Sequence, residues 1–337
     1  MWPHHTIDIH THVVPEQFPK YLGSKVNVPW PSMALAHACH CHVMIHDKVY
    51  RTVNQSCWRS GDRIAAMDAT SISVQCLSPM PELLSYWLAA DDGQVLIRYI
   101  NDTIADMVRR APSRFIGLGG VPLQDVDLAI RELEYVVNGL GFAGVELASH
   151  VEGVSIGDPR FEPFFKRVVE LDACVFVHAL RPAGQDRLVG PVAEQAACFP
   201  GDIALAATSM ITGGMAARVP GLRIAFSHGG GAMVNLIPRL NRAWTVTEKL
   251  RQALPESPGD YAKRFYYDSV VFDPDLLAHL VKLYGKTQVV VGSDFPFGMG
   301  DPTPVATLQA DGLDDDTLAH LAHKNALRFL GARVAKP

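Results

Sequence analysis

The stretch Ile7-Asp8-Ile9-His10-Thr11-His12 decides the fold, because it lies in the first of eight short runs rich in β-forming residues (residues 6–12). The other seven runs cover residues 72–78, 115–121, 143–148, 174–178, 223–228, 265–270 and 287–293. Near-continuous apolar character, rather than alternation, is typical of parallel strands that are buried on both faces. Helical patterns lie between them, for example at residues 92–110, 126–138, 160–172, 233–252 and 273–284. Eight strand–helix repeats predict an α/β fold, a distorted (β/α)8 TIM barrel.

The length of 337 residues suits one large barrel or two ordinary domains, and we predict a single barrel unit over residues 1–337. The stretch from Pro15 to Ser71 is too long for one barrel connection. We therefore predict that residues 15–71 form a small inserted lobe after the first strand, over the barrel mouth. A doubly wound sheet would need a G-x-G-x-x-G motif after its first strand, and the sequence offers none there.

The composition argues against several classes of partner. A formal net charge of −5 disfavours nucleic acid or an anionic membrane surface. No apolar run approaches the roughly 18 residues that a membrane-spanning helix needs. The segment Met1-Trp2-Pro3-His4-His5 lacks the basic start and apolar core of a signal peptide, so we predict a cytoplasmic protein.

The six cysteines are scattered without any C-x-x-C pair, which disfavours a disulfide framework. One cluster, His37-Ala38-Cys39-His40-Cys41-His42, has side chains that bind metals. It lacks the paired spacing of a structural zinc site. We interpret it as a loop that scavenges metal in vitro.

Four histidines and one aspartate stand at the ends of four predicted strands. In barrels of this class, catalytic residues come from the carboxyl ends of the strands. The residues are His10 and His12 on the first strand, His178 on the fifth, His228 on the sixth and Asp294 on the eighth. One such histidine would usually be a buried polar group with a hydrogen-bond partner. Recurrence at four strand ends is hard to attribute to packing.

Three imidazoles and one carboxylate, here His10, His12, His178 and Asp294, suit one divalent ion, and we predict Zn²⁺. Such an ion lowers the pKa of a bound water toward neutrality. His228 is left to act as acid or base, because the glycines after it let substrate approach closely. The fourth strand has no lysine that would bridge two metals once carboxylated, so we predict one ion per chain.

The run His228-Gly229-Gly230-Gly231 also matches the oxyanion-hole segment of α/β-hydrolases. That interpretation requires a G-x-S-x-G nucleophile elbow. The sequence contains no such elbow, and the interpretation fails.

Several segments together resemble the amidohydrolase superfamily, and within it the branch of 2-amino-3-carboxymuconate-6-semialdehyde decarboxylases. They are residues 7–12, Arg63-Ile64-Ala65-Ala66-Met67-Asp68, Val121-Pro122-Leu123-Gln124-Asp125, residues 228–231 and Gly292-Ser293-Asp294-Phe295-Pro296-Phe297. They span almost the whole chain in the expected order. The resemblance implies that His10, His12, His178 and Asp294 hold one zinc with a bound water.

The resemblance also implies a mechanism and two residues that bind the substrate. His228 would take the proton of that water, and the resulting hydroxide would add to the unsaturated carbon that bears the carboxylate before carbon dioxide leaves. Arg51 and Arg239 match the two arginines that bind substrate carboxylates in this branch. Arg239 there reaches the neighbouring subunit's site, which implies a homodimer.

The sequence departs from this branch beside the expected substrate. After His178 the branch has a proline and an aromatic residue, whereas this chain has Ala179-Leu180-Arg181, and Arg181 could supply a further anion contact. The lobe sequence over residues 27–48 also differs. The identity of the substrate therefore stays open.

We expect a zinc-dependent, non-oxidative decarboxylase of a small unsaturated or aromatic carboxylic acid. The aminocarboxymuconate semialdehyde is the first candidate, and a related ring-cleavage product or a hydroxybenzoate is the second. A metal-dependent hydrolase or hydratase of a related carboxylate is the alternative, because metal-bound hydroxide serves addition and hydrolysis alike. A non-catalytic zinc-binding barrel is a third possibility, which an acid/base histidine beside the ligands disfavours.

Overall fold

The computed structural model describes residues 6–191, 194–310 and 312–334. The segment Met1–His5, on which the prediction of a chain without a signal peptide rests, lies outside these ranges. Eight parallel strands follow one another around the central sheet in chain order, each hydrogen-bonded to the next. They are Ile7–Asp8, Val74–Pro79, Phe115–Gly119, Gly144–Ala148, Cys174–His178, Arg223–Phe226, Tyr266–Asp268 and Val289–Val290. The predicted (β/α)8 barrel is confirmed.

The barrel closes where the segment after the first strand meets the segment after the eighth. The Ile9 amide donates to the Val291 carbonyl at 2.9 Å, and the Asp294 amide donates to the His10 carbonyl at 2.9 Å. A parallel bridge between Thr11 and Phe295 continues this seam. The closure brings the carboxyl end of the last strand directly beside that of the first.

The first strand is shorter than its apolar pattern predicts. The run over residues 6–12 was expected to be continuous, whereas the structure has Ile7–Asp8 and then a separate short strand, His12–Val13. Both pair with the second barrel strand, His12 opposite Ser78. Between them the backbone turns to the eighth strand at the closing seam, which interrupts the ladder.

Helices fill the connections and the carboxyl-terminal region. The α-helices are Ser60–Ala69, Ala90–Arg110, Val126–Glu134, Glu162–Glu170, Phe199–Thr212, Met215–Arg218, Met233–Val246, Glu248–Ala253, Pro258–Ala262, Pro274–Tyr284, Pro304–Ala310, Asp315–Ala319 and Asn325–Leu330. Single π-turns cover Tyr135–Gly139, Glu194–Cys198 and His320–Lys324, and 3₁₀ turns cover Gln55–Cys57, Pro81–Leu84, Pro159–Phe161, Gln185–Arg187 and His228–Gly230. Asp125 and Asp273 cap two helices through the amides of Leu128 and Leu276.

One helical prediction was too long. The pattern over residues 233–252 predicts a single helix, but Thr247 has extended dihedrals (φ −109°, ψ 105°) and divides it in two. The Trp244 indole donates across the break to the Leu254 carbonyl at 2.9 Å. This hydrogen bond connects the two helices across the bend. The apolar periodicity of the sequence does not indicate the bend.

The end of the barrel nearer the strand amino termini is sealed by apolar side chains. Ile9, Cys76, Leu118 and Phe176 are fully buried there, together with Phe329 of the carboxyl-terminal helix. Because this end is dry and packed, substrate access is confined to the opposite rim.

A three-stranded antiparallel sheet lies between the first and second barrel strands. Its strands are Ser32–His37, His40–Ile45 and Lys48–Asn54. The helix Ser60–Ala69 follows, and its fully buried Arg63 donates to the Thr11 hydroxyl and the His12 carbonyl. A hairpin over His150–Val151 and Val154–Ser155 completes the strands. No helix in the described part of the chain is long and apolar enough to cross a bilayer.

Candidate metal centre

His10 and His12 leave the first strand on the same side and enter the barrel mouth. Residues two apart in an extended segment point the same way. Both side chains are fully buried, and their Nε2 atoms lie 3.1 Å apart. Two imidazole nitrogens therefore face one point, as the sequence predicts.

His178 and Asp294 reach the same point from the fifth and eighth strands. The His178 ring lies 5.1 Å from the rings of both His10 and His12, centroid to centroid. The Asp294 Oδ1 lies 3.0 Å from the His12 Nε2 and 3.4 Å from the His10 Nε2. One donor atom from each of the four residues falls within 4.8 Å of all the others. The structure thus brings together the four residues that were predicted to hold a metal.

The second ring nitrogen of each histidine is bonded away from this point. The His10 Nδ1 donates to the Asp268 Oδ2 at 2.6 Å, and the His12 Nδ1 donates to the Pro79 carbonyl at 3.1 Å. The His178 Nδ1 donates to the Ala179 carbonyl at 2.8 Å. Since these partners only accept, each Nδ1 carries a proton, and the Nε2 is the ring nitrogen through which each histidine can bind a cation.

When the Nε2 atoms of His10 and His12 carry no proton, two of the four convergent donor atoms are buried without a hydrogen-bond partner among the described residues: the His178 Nε2 and the Asp294 Oδ1. Buried polar atoms are nearly always satisfied, so this pair needs a ligand. A divalent cation would satisfy both at once. Three imidazoles and one carboxylate suit Zn²⁺, and ions such as Mn²⁺ also accept nitrogen and oxygen donors.

Burial and neighbouring charge set the protonation of the cluster. Burial lowers the pKa of His12 to about 4 and that of His178 well below its usual range, so both rings are neutral near pH 7. Burial also disfavours charge on His10, but the carboxylates of Asp294 and Asp268 outweigh it and raise its pKa to about 10. The proton that His10 holds toward Asp294 has to leave before its Nε2 can bind a cation.

Asp268 is a functional residue that the sequence reasoning missed. It ends the seventh barrel strand, is fully buried, and accepts from the amides of Gly229 and Val270 at 2.8 and 3.1 Å while it holds His10. Burial raises its pKa, but the contact with His10 dominates and keeps the carboxyl ionised. Asp268 also stands near the end of an apolar run, at residues 265–270, so the strand-end pattern that indicates His178 and Asp294 indicates Asp268 as well.

Replacing Asp268 with asparagine is expected to lower metal affinity, activity or both by roughly 10–100-fold, because an amide no longer fixes the His10 ring as a carboxylate does. Metal titration of the stripped protein measures the effect. Asp273→Asn is the matched control, since this exposed aspartate caps the next helix and asparagine caps equally well. Unchanged affinity and unchanged turnover in Asp268→Asn would contradict this role.

His228 lies beside the four predicted ligands without joining them. Its ring is 5.0 Å from that of His178 and 5.5 Å from that of His10, and its Nδ1 contacts the Ser227 hydroxyl at 3.2 Å. Burial lowers its pKa, which favours a neutral ring that can accept a proton. The ring borders the open cavity, so a proton can pass between it and a bound molecule.

The turn after the sixth strand fixes the position of His228. Its φ is +54°, and the three following glycines also have positive φ, which residues other than glycine rarely adopt. A Cβ on Gly231 would lie 1.9 Å from the Pro200 carbonyl oxygen. Only glycine fits there, and this close backbone packing presents the imidazole to the cavity.

A cavity of about 970 Å³ opens above the centre. His178, His228 and Asp294 form part of its floor, and Tyr50, Arg51 and Asn54 of the antiparallel sheet form part of its wall. Among the described residues Arg51 has no ion-pair partner, and its guanidinium carbon lies 4.5 Å from the ring centroid of Phe297. An unpaired guanidinium in a cavity is suited to a carboxylate.

Arg239 and Arg181, unlike Arg51, do not place an unpaired guanidinium in this cavity. Arg239 is exposed on the helix Met233–Val246 and does not line the cavity of its own chain. Arg181 does line it, but its guanidinium is bonded to the buried Glu82 at 2.6 Å and lies 3.5 Å from the ring centroid of Trp87. Glu82 pairs with Arg181, so the structure does not provide the further free anion contact that the sequence had left open for this residue.

This fold and this centre define a known class of protein. The sequence profile of the amidohydrolase family matches residues 7–332, so the chain belongs to that family. The resemblance inferred from the motifs is therefore confirmed. The chain is also similar to the 2-amino-3-carboxymuconate-6-semialdehyde decarboxylase of Dictyostelium discoideum, with 33% identity over 96% of this chain and 91% of that protein.

Solved structures show the same architecture. The IDCase of Metarhizium anisopliae superposes with a TM-score of 0.81 at 20% identity, covering 97% of each chain, which establishes the shared fold. A 5-carboxyvanillate decarboxylase from Novosphingobium aromaticivorans superposes with a TM-score of 0.70 at 26% identity, covering 80% of this chain and 79% of that one. That protein was crystallised with manganese and 4-hydroxy-3-methoxy-5-nitrobenzoic acid.

Proposed function

We propose that this chain is a metal-dependent, non-oxidative decarboxylase of a small unsaturated or aromatic carboxylic acid, with 2-amino-3-carboxymuconate-6-semialdehyde as the first candidate. The observation that carries the proposal is the convergence of three imidazole nitrogens and one carboxylate oxygen beside His228, at the floor of a cavity with an unpaired arginine. Similarity to proteins named as decarboxylases supports it.

The four ligands are proposed to be His10, His12, His178 and Asp294, holding one Zn²⁺ per subunit. When bound there, the ion supplies Lewis-acid activation of a water molecule or a substrate oxygen. Manganese in a related structure supports a divalent ion, and the choice of zinc rests on the predominance of nitrogen donors. Metal analysis of the purified protein tests that choice.

His228 is proposed to move the proton. With its pKa lowered by burial, the neutral ring accepts a proton from water as the water oxygen adds to the unsaturated carbon that bears the carboxylate. The carbon–carboxylate bond then breaks, and carbon dioxide leaves. His228 then returns its proton to that carbon, the carbon–oxygen bond breaks again, and the released hydroxide takes up a proton from solvent, so that in the net reaction one proton takes the place of the carboxylate.

Arg51 is proposed to bind a substrate carboxylate. Arg51→Ala is expected to raise KM by about 10–100-fold, because a hydrogen-bonded charge contact contributes roughly 1.5–3 kcal/mol. Steady-state kinetics measures the change. Arg59→Ala is the control, since Arg59 is exposed and lies outside the cavity lining. An equal rise in both variants would show that overall charge, rather than this contact, governs binding.

Arg239 is proposed to complete the active site of a partner subunit in a homodimer. Its exposure and its absence from the lining of its own cavity are compatible with that role. Mixing an inactive Arg239→Ala protein with an inactive His228→Ala protein should restore part of the activity, because one mixed site then carries both native residues. Activity that stays at the level of the unmixed variants would contradict a shared site.

The chain is proposed to form a single unit over residues 1–337, with an inserted lobe over residues 15–71. This lobe is proposed to select the substrate. Support comes from Tyr50 and Arg51, which reach the cavity from the antiparallel sheet. Glu82 and Arg181 also line the cavity, and their ion pair leaves no unpaired cation there for a second anionic end of the substrate. Comparing kcat/KM for the aminocarboxymuconate semialdehyde, 5-carboxyvanillate and a hydroxybenzoate tests the assignment. A preference for either aromatic acid would overturn the first candidate.

A further inference from the structure

A second group of metal-binding side chains lies at the tip of the antiparallel sheet. The turn Ala38-Cys39 joins the strands Ser32–His37 and His40–Ile45, so that His37 and His40 stand directly opposite each other. Their ring centroids are 4.2 Å apart, and the Cys39 Sγ lies 3.1 Å from the His40 Nδ1. One donor atom from each of the three residues lies within 4.8 Å of the other two.

The backbone holds this tip in place. The Cys39 carbonyl accepts from the Gln55 amide at 3.0 Å, and His40 pairs with Asn54 in the neighbouring strand. The third strand thus braces the turn from outside the hairpin. A ligand that binds the three side chains needs only side-chain adjustment, because the strands are already in position.

The side chains are available to a ligand from solvent. His37 and Cys39 are exposed and His40 is half-buried. Neither histidine forms an ion pair within the described ranges, and the two rings contact only each other and the thiol. Two imidazoles and a thiol this close together offer three metal-binding donor atoms to one point.

We propose that His37, Cys39 and His40 form a second metal site, for a thiophilic divalent ion such as Zn²⁺, with water in the fourth position. Cysteine sulfur and histidine nitrogen are the donors that zinc prefers, and tetrahedral coordination is usual for them. The Cys39 thiol passes its proton to solvent as the sulfur binds the ion. Because His40 also lines the cavity, the ion would lie at the cavity rim.

The two centres differ in donor chemistry, which makes the new site separately observable. The buried centre offers nitrogen and oxygen only, whereas the hairpin tip adds sulfur. Cobalt(II) substitutes for zinc and gives a sulfur-to-metal charge-transfer absorption in the near ultraviolet when a thiolate binds it. That absorption reports the hairpin site alone and requires no turnover.

The test loads the full-length protein with one equivalent of Zn²⁺ and then titrates it with Co²⁺. We expect the charge-transfer absorption to saturate at one further equivalent, to vanish in Cys39→Ser, and to persist in Cys41→Ser. Cys41 is the matched control, because it lies on the same strand as His40, pairs with Leu35 and is outside the cluster. Absence of the absorption in the native protein, its survival in Cys39→Ser, or its loss in Cys41→Ser would each overturn the proposal.

Discussion

Replacing His228 with asparagine is expected to lower kcat by a factor of about 10²–10⁴ while the metal ion of the buried centre stays bound, because general acid–base catalysis contributes that much. The ring borders the cavity but lies outside the group of four convergent donor atoms. Asparagine is the preferred replacement, since it tolerates the left-handed conformation (φ +54°) that alanine would adopt only with strain.

Steady-state kinetics and metal analysis on the same preparation distinguish a role of His228 in acid–base catalysis from a role as a metal ligand. His279→Asn is the matched control, because this exposed histidine lies on the helix Pro274–Tyr284, outside the cavity lining. It should leave both kcat and metal content unchanged. Loss of the metal in His228→Asn would make His228 a ligand, and an unchanged kcat would remove it from the chemistry.

Replacing Asp294 with asparagine is expected to have the largest effect on the metal itself. The Asp294 Oδ1 is the only carboxylate oxygen among the four convergent donor atoms of the described cluster. A neutral amide binds a divalent ion more weakly. The loss in affinity should exceed the roughly 10–100-fold that follows loss of a partner outside the ligand set. Turnover should fall with metal content.

The design of this variant follows the local backbone. Asp294 has φ +59°, a conformation that asparagine also tolerates. The two side chains are nearly equal in size, so the substitution leaves the volume of the site unchanged. Asp301→Asn provides the control, because Asp301 is a buried aspartate of the same loop that lies outside the cluster. Metal titration followed by activity at saturating metal is the measurement. An Asp294→Asn protein that binds the ion as tightly as the native chain would exclude this carboxylate as a ligand.

The sequence was sufficient to predict the centre because barrel topology does most of the placement. Parallel strands that follow one another around a barrel expose all their carboxyl ends at one rim. Residues at the ends of apolar runs therefore meet there, although His12 and Asp294 are far apart in the chain. The alternation of eight apolar runs with helical patterns predicts the barrel for the same reason.

Features that depend on unique tertiary partners were not predictable from these patterns. The bond between Arg181 and Glu82 joins residues 99 positions apart and occupies the guanidinium that the sequence left open as a further anion contact. The interruption of the first strand follows from the closing seam with Thr11 and Phe295, which the apolar run does not encode. The bend at Thr247 is accompanied by a hydrogen bond between the Trp244 indole and the Leu254 carbonyl, which the apolar pattern does not encode.

The most direct test of the central claim is the yield of carbon dioxide per molecule of 2-amino-3-carboxymuconate-6-semialdehyde consumed, measured with protein stripped of metal and then reloaded with one equivalent of Zn²⁺. The account predicts one carbon dioxide per substrate molecule from the reloaded protein and only background release from the stripped protein. A product that keeps its carboxylate and gains the mass of water, or full activity without the metal, would contradict it.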